Sequence, residues 1–220
     1  MRIPLFPLNM VLLPGIDQHL FVFEDRYRAM ILDVVGPHDD VLNPEATFGV
    51  ACIRNGFEVG APADTYAIGT IARIRRSLQN PERTFDVAVI GTQRFRILER
   101  LDDDPYPRAD VELLNEPEGA RVADALALAR GGIQRYVDTM TRTMGEKSAR
   151  VPLPADPSAA SYKIIAMLEL DIPLRQELLE VGDTTERLVR LAELAHREAP
   201  LIETIGWPLQ RPELRANSLN

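Results

Sequence analysis

FVFEDRYRAM, residues 21–30, and the run before it, IPLFPLNMVLLPG at 3–15, decide how the chain begins to fold. Phe21, Phe23 and Tyr27 stand beside Glu24, Asp25, Arg26 and Arg28. That composition fits either a catalytic cluster or the junction of a strand with a helix. The spacing favours the junction. HLFVF (19–23) is a short β-like run, whereas Tyr27, Met30, Ile31 and Val34 recur at helical intervals until Gly36-Pro37 stops them. Acidic residues at 24 and 25 suit the positive end of a helix dipole. The expectation is a helix starting near Glu24 or Asp25, anchored by Phe21, Phe23 and Tyr27, with Arg26 as an internal ion-pair partner.

Up to about residue 116 the sequence is broken into β-like runs by Pro and Gly: IPLFPL, HLFVF, TFGVACI, YAIGTIARI, FDVAVIG, RFRILERL and ADVELL. QNPER (79–83) joins two of them as a hairpin with Pro81 in its turn. Seven short strands, one helix and several Gly turns predict a closed or nearly closed small barrel. From Glu118 the period changes. Val122, Leu126, Ala129, Ile133, Tyr136 and Met140 mark a long amphipathic helix, weakened by Gly131-Gly132. The loop ARVPLPADPSA (149–159) leads to a short helix in SYKIIAMLEL. Pro173 opens the next helix, and Asp183 with Glu186 has capping-box spacing before LVRLAELAHRE. After Pro200, with Trp207, Pro208 and Pro212, little periodicity remains. The fold class expected is α+β, a β-rich domain over 1–116, a helical bundle over 117–205 and an irregular tail over 206–220.

The chain has 220 residues, 45% hydrophobic and 26% charged, enough for a substantial core. No apolar run is long enough to span a membrane, and the proline-interrupted N-terminus makes a poor signal peptide. The lone Cys52 leaves no intramolecular disulfide, so a cytoplasmic location is expected. A net charge of −8 disfavours general nucleic-acid binding.

Motifs for chemistry are scarce. His19, His38 and His196 are far apart and lack a ligand partner one turn away, and Cys52 lies inside an apolar run. Gly145-Glu146-Lys147-Ser148 is not a phosphate loop, because Glu146 separates Gly from Lys and position 140 is Met. Adjacent Lys147 and Ser148 would not face each other on a helix, so they make no dyad. Asp102-Asp103-Asp104 reads as a solvated turn before Pro105. Arg73, Arg75, Arg94 and Arg96 could form a basic ladder if their strands are neighbours. No cofactor, metal or catalytic residue is expected.

Phe6-Pro7-Leu8, Pro14-Gly15 and Phe23-Glu24-x-Arg26-Tyr27-Arg28 stand in order before Phe48-Gly49-Val50 and Ile68-Gly69-Thr70-Ile71-Ala72-Arg73-Ile74. Gly91-x-x-Arg94-Phe95-Arg96-Ile97 and Pro105-Tyr106-x-x-Ala109 follow, then Arg175-Gln176-Glu177-Leu178-Leu179-Glu180 and Glu186-Arg187-Leu188. Over roughly residues 3–200 this series resembles the N-terminal, substrate-binding domain of Lon proteases. The resemblance implies a PUA-like β-barrel with a helical extension, here as a standalone protein without the ATPase and peptidase. Phe23, Glu24, Arg26, Tyr27, Gly69, Gly91, Arg94 and Phe95 would be its structural signature. It implies a non-catalytic module that binds unfolded or degron-bearing polypeptides as an adaptor or weak holdase. A protease or chaperone would be its partner, and weak homo-oligomers would form. Leu12, Leu13, Pro14, Ile16, Met140 and Met144 are the candidate peptide contacts. The alternative is an RNA-binding PUA-like module using the arginine ladder.

Overall fold

The computed structural model of the chain describes residues 1–36, 46–60, 63–101 and 105–205. It divides into two compact units, Met1–Asn115 and Glu116–Asn220. His38, the Asp102–Asp104 run and the segment with Trp207, Pro208 and Pro212 lie outside the described residues.

The first unit contains β1 (Arg2–Leu8), β2 (Asp17–Val22), α1 (Asp25–Val35), β3 (Thr47–Asn55), β4 (Asp64–Thr65), β5 (Ile68–Gln79), β6 (Phe85–Leu101) and β7 (Arg108–Leu113). The strands run in the order β1-β7-β6-β5-β3, and β1 also pairs with β3 in parallel, from Leu5 opposite Gly49 to Leu8 opposite Cys52. These five strands therefore form a closed ring. Its other pairings are antiparallel. β2 lies off the ring on the first half of β6, and the two-residue β4 extends β3.

FDVAVIG and RFRILERL, expected as separate strands, are one strand of 17 residues. Its first half pairs with β2 and its second half with β7, and its ladders with β5 and β7 carry register shifts, between Thr70 and Ala72, Ile74 and Arg76, and Ile97 and Glu99. The QNPER hairpin forms as expected from its turn residues. The Asn80 amide donates to the Thr84 carbonyl at 2.8 Å and that of Arg83 to Asn80 at 2.9 Å. Arg83 occupies the left-handed region at φ 63°.

Apolar residues of β1, β2, α1, β3, β5 and β6 make the main core, including Phe6, Val22, Tyr27, Met30, Ile31, Phe48, Val87 and Val89. Alternation along β1 sends Ile3 and Leu5 into a second cluster around Phe95, while Phe6 and Leu8 enter the first. α1 is seated by Tyr27, Met30 and Ile31, with the Tyr27 ring 4.3 Å from that of Phe6. Phe21 and Phe23 do not anchor it. They stay 57% and 48% exposed, because β2 turns them to the face opposite buried Leu20 and Val22.

The second unit contains α2 (Val122–Thr143), α3 (Pro157–Met167), α4 (Ile172–Glu180) and α5 (Thr184–Ile205). α2 and α5 pack along each other. The buried stripe of α2 is Ala125, Ala129, Ile133, Tyr136 and Thr139, rotated from the expected one so that Val122, Leu126 and Met140 sit at its margins. Three aspartates cap helix starts. Asp156 accepts from the Ala159 amide at 2.7 Å, Asp171 from Leu174 at 2.9 Å and Asp183 from Glu186 at 2.9 Å. α5 continues through Pro200 to Ile205, with Ala199 and Ile202 buried on either side of the proline.

Arg187 organises this unit. It is fully buried, and its guanidinium donates to Glu116 at 2.8 Å, Ser161 at 2.8 Å and the Val181 carbonyl at 2.8 Å. It also stacks 4.2 Å above the Tyr162 ring, whose hydroxyl donates to the same Glu116 carboxylate at 2.8 Å. Removing the cation would take a donor from each of those acceptors and leave the Glu116 carboxylate without its ion-pair partner. Arg187→Met should lower unfolding free energy by about 3 kcal/mol in urea titration. Gly131 and Gly132 behave differently although adjacent. A side chain at Gly132 would come within 3.3 Å of the Ala195 methyl on α5, whereas nothing lies within 4 Å of one at Gly131. Gly131→Ala should therefore raise stability by up to about 1 kcal/mol in the same measurement.

Candidate functional site

The charged cluster after β2 is ion-paired locally, although Arg26 Nε and Arg28 Nε are buried without a hydrogen-bond partner among the described residues. Arg26 pairs with Glu24 at 2.9 Å and lies 4.6 Å over the Tyr27 ring, while Arg28 pairs with Asp25 at 2.5 Å and donates to the Arg83 carbonyl at 3.3 Å. Glu24 is the backbone cap of α1, and its carbonyl accepts from the Arg28 amide. Two acids and two cations neutralise one another here and hold a helix start.

The loop Leu12–Ile16 is not a peptide-contact surface. Leu12 and Leu13 are 3% and 2% exposed, Pro14 is buried and Ile16 is half-buried. The Thr70 hydroxyl donates to the Leu12 carbonyl at 2.7 Å, and Gly91 exchanges backbone hydrogen bonds with Gly15 and Ile16 at 2.8 and 3.1 Å. Gly91 is required at that position, since a Cβ there would stand 2.2 Å from the Leu13 oxygen. A Cβ at Gly69 would likewise meet the Val50 oxygen at 2.3 Å and the Phe95 ring at 2.6 Å. Several signature glycines thus mark backbone contacts inside the barrel.

The arginine ladder does not assemble either. Arg94 is 1% exposed and donates to the Asn115 carbonyl at 3.2 Å. Arg96 lies 3.6 Å from Glu112, opposite Ile68 on β5, whereas Arg73 is opposite Ile90 further along the strand. Arg73 and Arg75 are exposed. In the helical unit Met140 is half-buried and Met144 is 49% exposed at the end of α2. Gly145, at φ 74°, closes that helix: its amide bonds the Arg142 carbonyl and the Glu146 amide bonds that of Thr141. This is a helix terminus in the stretch that superficially suggests a phosphate loop.

What the structure does assemble is the outer face of β2, β6 and β5. Phe21 is opposite Asp86, which is opposite Leu78; His19, Ala88 and Arg76 form the next row, and Asp17, Ile90 and Arg73 the third. Residues opposite one another in a sheet share a face. Phe21 and Phe23 stack at 6.0 Å with rings 29° apart, and Leu78 is 50% exposed. The apolar end of this face is thus flanked by Arg76 and Arg73. The sequence carried a partial signal for it: LFVF is apolar at consecutive positions, so both faces of β2 carry apolar side chains, and the structure buries only that of Leu20 and Val22. In the helical unit, Leu174 and Leu178 of α4 and Leu194 of α5 floor a groove of about 230 Å³ rimmed by Glu177, Arg190, Glu193 and Arg197.

Titration is shifted in the core. Burial pushes the Cys52 thiol up to about 11, with Glu58 adding to it. Burial pushes Tyr27 up to about 12, partly opposed by the Arg26 charge. Among the described residues no group of three His, Cys, Asp or Glu side chains could hold a metal ion, and no helix is long and apolar enough to cross a membrane.

A five-strand barrel with a helical unit behind it in sequence is the class defined by this structure. The chain belongs to the family of the ATP-dependent protease La (LON) substrate-binding domain, whose model matches residues 2–197. It is 31% identical over 209 residues to Lon protease 2 of Herpetosiphon aurantiacus, covering 92% of this chain and 24% of that protein. It is also 31% identical over 206 residues to Lon protease of Heliobacterium modesticaldum, covering 92% and 24%. The chain spans about a quarter of the length of these relatives. A Lon N-terminal domain protein from Xanthomonas campestris shares the fold with a TM-score of 0.60 at 24% identity, covering 88% of this chain and 98% of that one. The N-terminal domain of Mycobacterium avium complex Lon protease does so with 0.64 at 19%, covering 89% and 98%.

Both raised groups bind their protons more tightly when folded, so their contribution to stability is complete below the unfolded values of 9.0 and 10.0. It is lost as pH rises towards about 11 for Cys52 and about 12 for Tyr27. Unfolding midpoints should therefore fall above pH 9, and Tyr27→Phe should remove Tyr27's share of that fall, which begins near pH 10, while the Cys52 share towards pH 11 persists.

Proposed function

We propose that this chain is a non-catalytic polypeptide-binding module, an adaptor or weak holdase for unfolded or degron-bearing protein segments that works beside a protease or chaperone. The observation that carries this reading is the Phe21–Phe23 pair with Leu78, exposed side by side on an ordered sheet face. Aromatic area next to exposed arginines suits unfolded chain, which offers apolar side chains that a folded protein hides. Membership of a substrate-binding family supports the same reading. The family match is to a substrate-binding domain, and the chain spans about a quarter of the length of the proteases it resembles. No observation favours the RNA alternative, since Arg94 of its ladder is buried and Arg96 is paired with Glu112.

The expected affinity is weak, on the order of 1 μM or above, because the patch is small and association has a large entropic cost. Fluorescence titration should show binding to a chemically unfolded protein and none to the same protein folded. Phe21→Ser with Phe23→Ser should abolish binding while leaving the unfolding midpoint unchanged, as both rings are about half exposed. Equal binding to folded and unfolded chains, or to neither, would defeat the proposal.

A further inference from the structure

β2 completes the outer face but is not part of the closed ring, and among the described residues its one strand partner is β6. The direction of its backbone groups follows from one hydrogen bond. The Gly91 amide donates to the Ile16 carbonyl at 3.1 Å, the bond that flanks a non-hydrogen-bonded Asp17–Ile90 pair. Antiparallel alternation then makes Gln18–Val89, Leu20–Val87 and Val22–Phe85 the hydrogen-bonded pairs. The amides and carbonyls of Asp17, His19 and Phe21 consequently point away from β6; the His19 carbonyl accepts from the exposed Gln18 side-chain amide at 3.2 Å, a bond that an incoming strand would share or displace. Their side chains are the three exposed ones of β2. The strand contains no Lys and no Pro, the residues that most often block an edge against another chain.

We infer that the free edge of β2 takes up an extended segment of a client polypeptide as an added strand, hydrogen-bonded to Asp17, His19 and Phe21, with apolar side chains at alternate positions covering Phe21 and Phe23. The inference rests on the polypeptide-binding reading and gives it a mode. Donors and acceptors repeating every second residue complement an extended backbone, and side chains opposite Asp17, His19 and Phe21 share their face. The occupant is a client and not a second copy of this chain, because two copies each carrying −8 repel at the approach that edge pairing needs. The same charge selects segments that are neutral or cationic.

The test uses the full chain and a fluorescein-labelled peptide of about nine residues that alternates Phe or Val with Ser or Thr and ends in Lys. N-methylation at the apolar positions blocks the amides that face β2, and should weaken binding about tenfold or more. N-methylation at the polar positions blocks amides that face solvent, and should leave affinity within about twofold. On the protein side, His19→Pro removes an outward amide and should keep the fold while losing the peptide by a similar factor; Gln18→Pro removes an amide bonded to β6 and should destabilise. Equal binding of both methylated peptides, or unchanged binding by a folded His19→Pro protein, would overturn the strand-addition mode. If unfolded protein binds and the unmethylated peptide does not, the mode fails and the module reading stands; if neither binds, both fail. A dimer seen in sedimentation that His19→Pro dissociates, with no peptide bound by the parent chain, would assign the edge to a second copy and overturn the inference.

Discussion

The parallel pairing of β1 with β3 is the constraint on which the first unit depends. Four residues in register, Leu5 to Leu8 against Gly49 to Cys52, turn an open sheet into a ring. The closure tolerates little bulk. A Cβ at Gly49 would come within 2.6 Å of the Ile3 side chain and 3.0 Å of the Phe95 ring, and Gly69 is crowded by the same ring. Because β1 and β3 satisfy each other, the ring has no edge of its own, and β2 remains outside it, with one side of its backbone facing no other strand among the described residues. A closed core and an open strand are two results of the same pairing.

Much of this architecture was legible in the sequence because it rests on short-range rules. Pro81 fixed a turn, Gly36 a helix stop, and Asp171 and Asp183 helix starts, each through local backbone chemistry. The continuity of β6 was hidden, since Gly91-Thr92-Gln93 looks like punctuation between two strands. Gly91 is there because the Leu13 oxygen approaches it, a contact with a residue 78 positions earlier that no local pattern encodes. Leu12, Leu13 and Pro14 were misplaced for the same reason: an apolar loop looks exposed until the hydroxyl and glycine that fasten it are known. α5 runs through Pro200 although periodicity fades from that residue in the sequence, because packing of Ala199 and Ile202 offsets its missing amide.

The arginines show how far charge alone can mislead. Arg94 and Arg187 sit among other charged residues in sequence, and either could be assigned to a solvated face. Both are buried, Arg94 bonding the Asn115 carbonyl in the first unit and Arg187 the Glu116 carboxylate in the second. Asn115 and Glu116 are consecutive, so each unit fastens its own side of the boundary through a guanidinium. Five donors in a planar fork allow one side chain to satisfy a carboxylate, a hydroxyl and a carbonyl together, which an ammonium could not do in that geometry. The cations remaining on the outer face, Arg73 and Arg76, then stand beside apolar residues and not within a basic field.

An unpaired strand is ordinarily a hazard, and the features that contain it here also shape its use. β2 is six residues long, bounded by the Gly15 turn at one end and by α1 at the other. An added strand can therefore reach only three residues' worth of outward backbone groups, each hydrogen bond contributing on the order of 1 kcal/mol net. The stacked Phe21 and Phe23 add apolar burial at one end only. Against the entropy lost on association and on ordering an unfolded segment, so short a contact remains weak and reversible. On the proposed reading, weakness suits a module that must release what it captures.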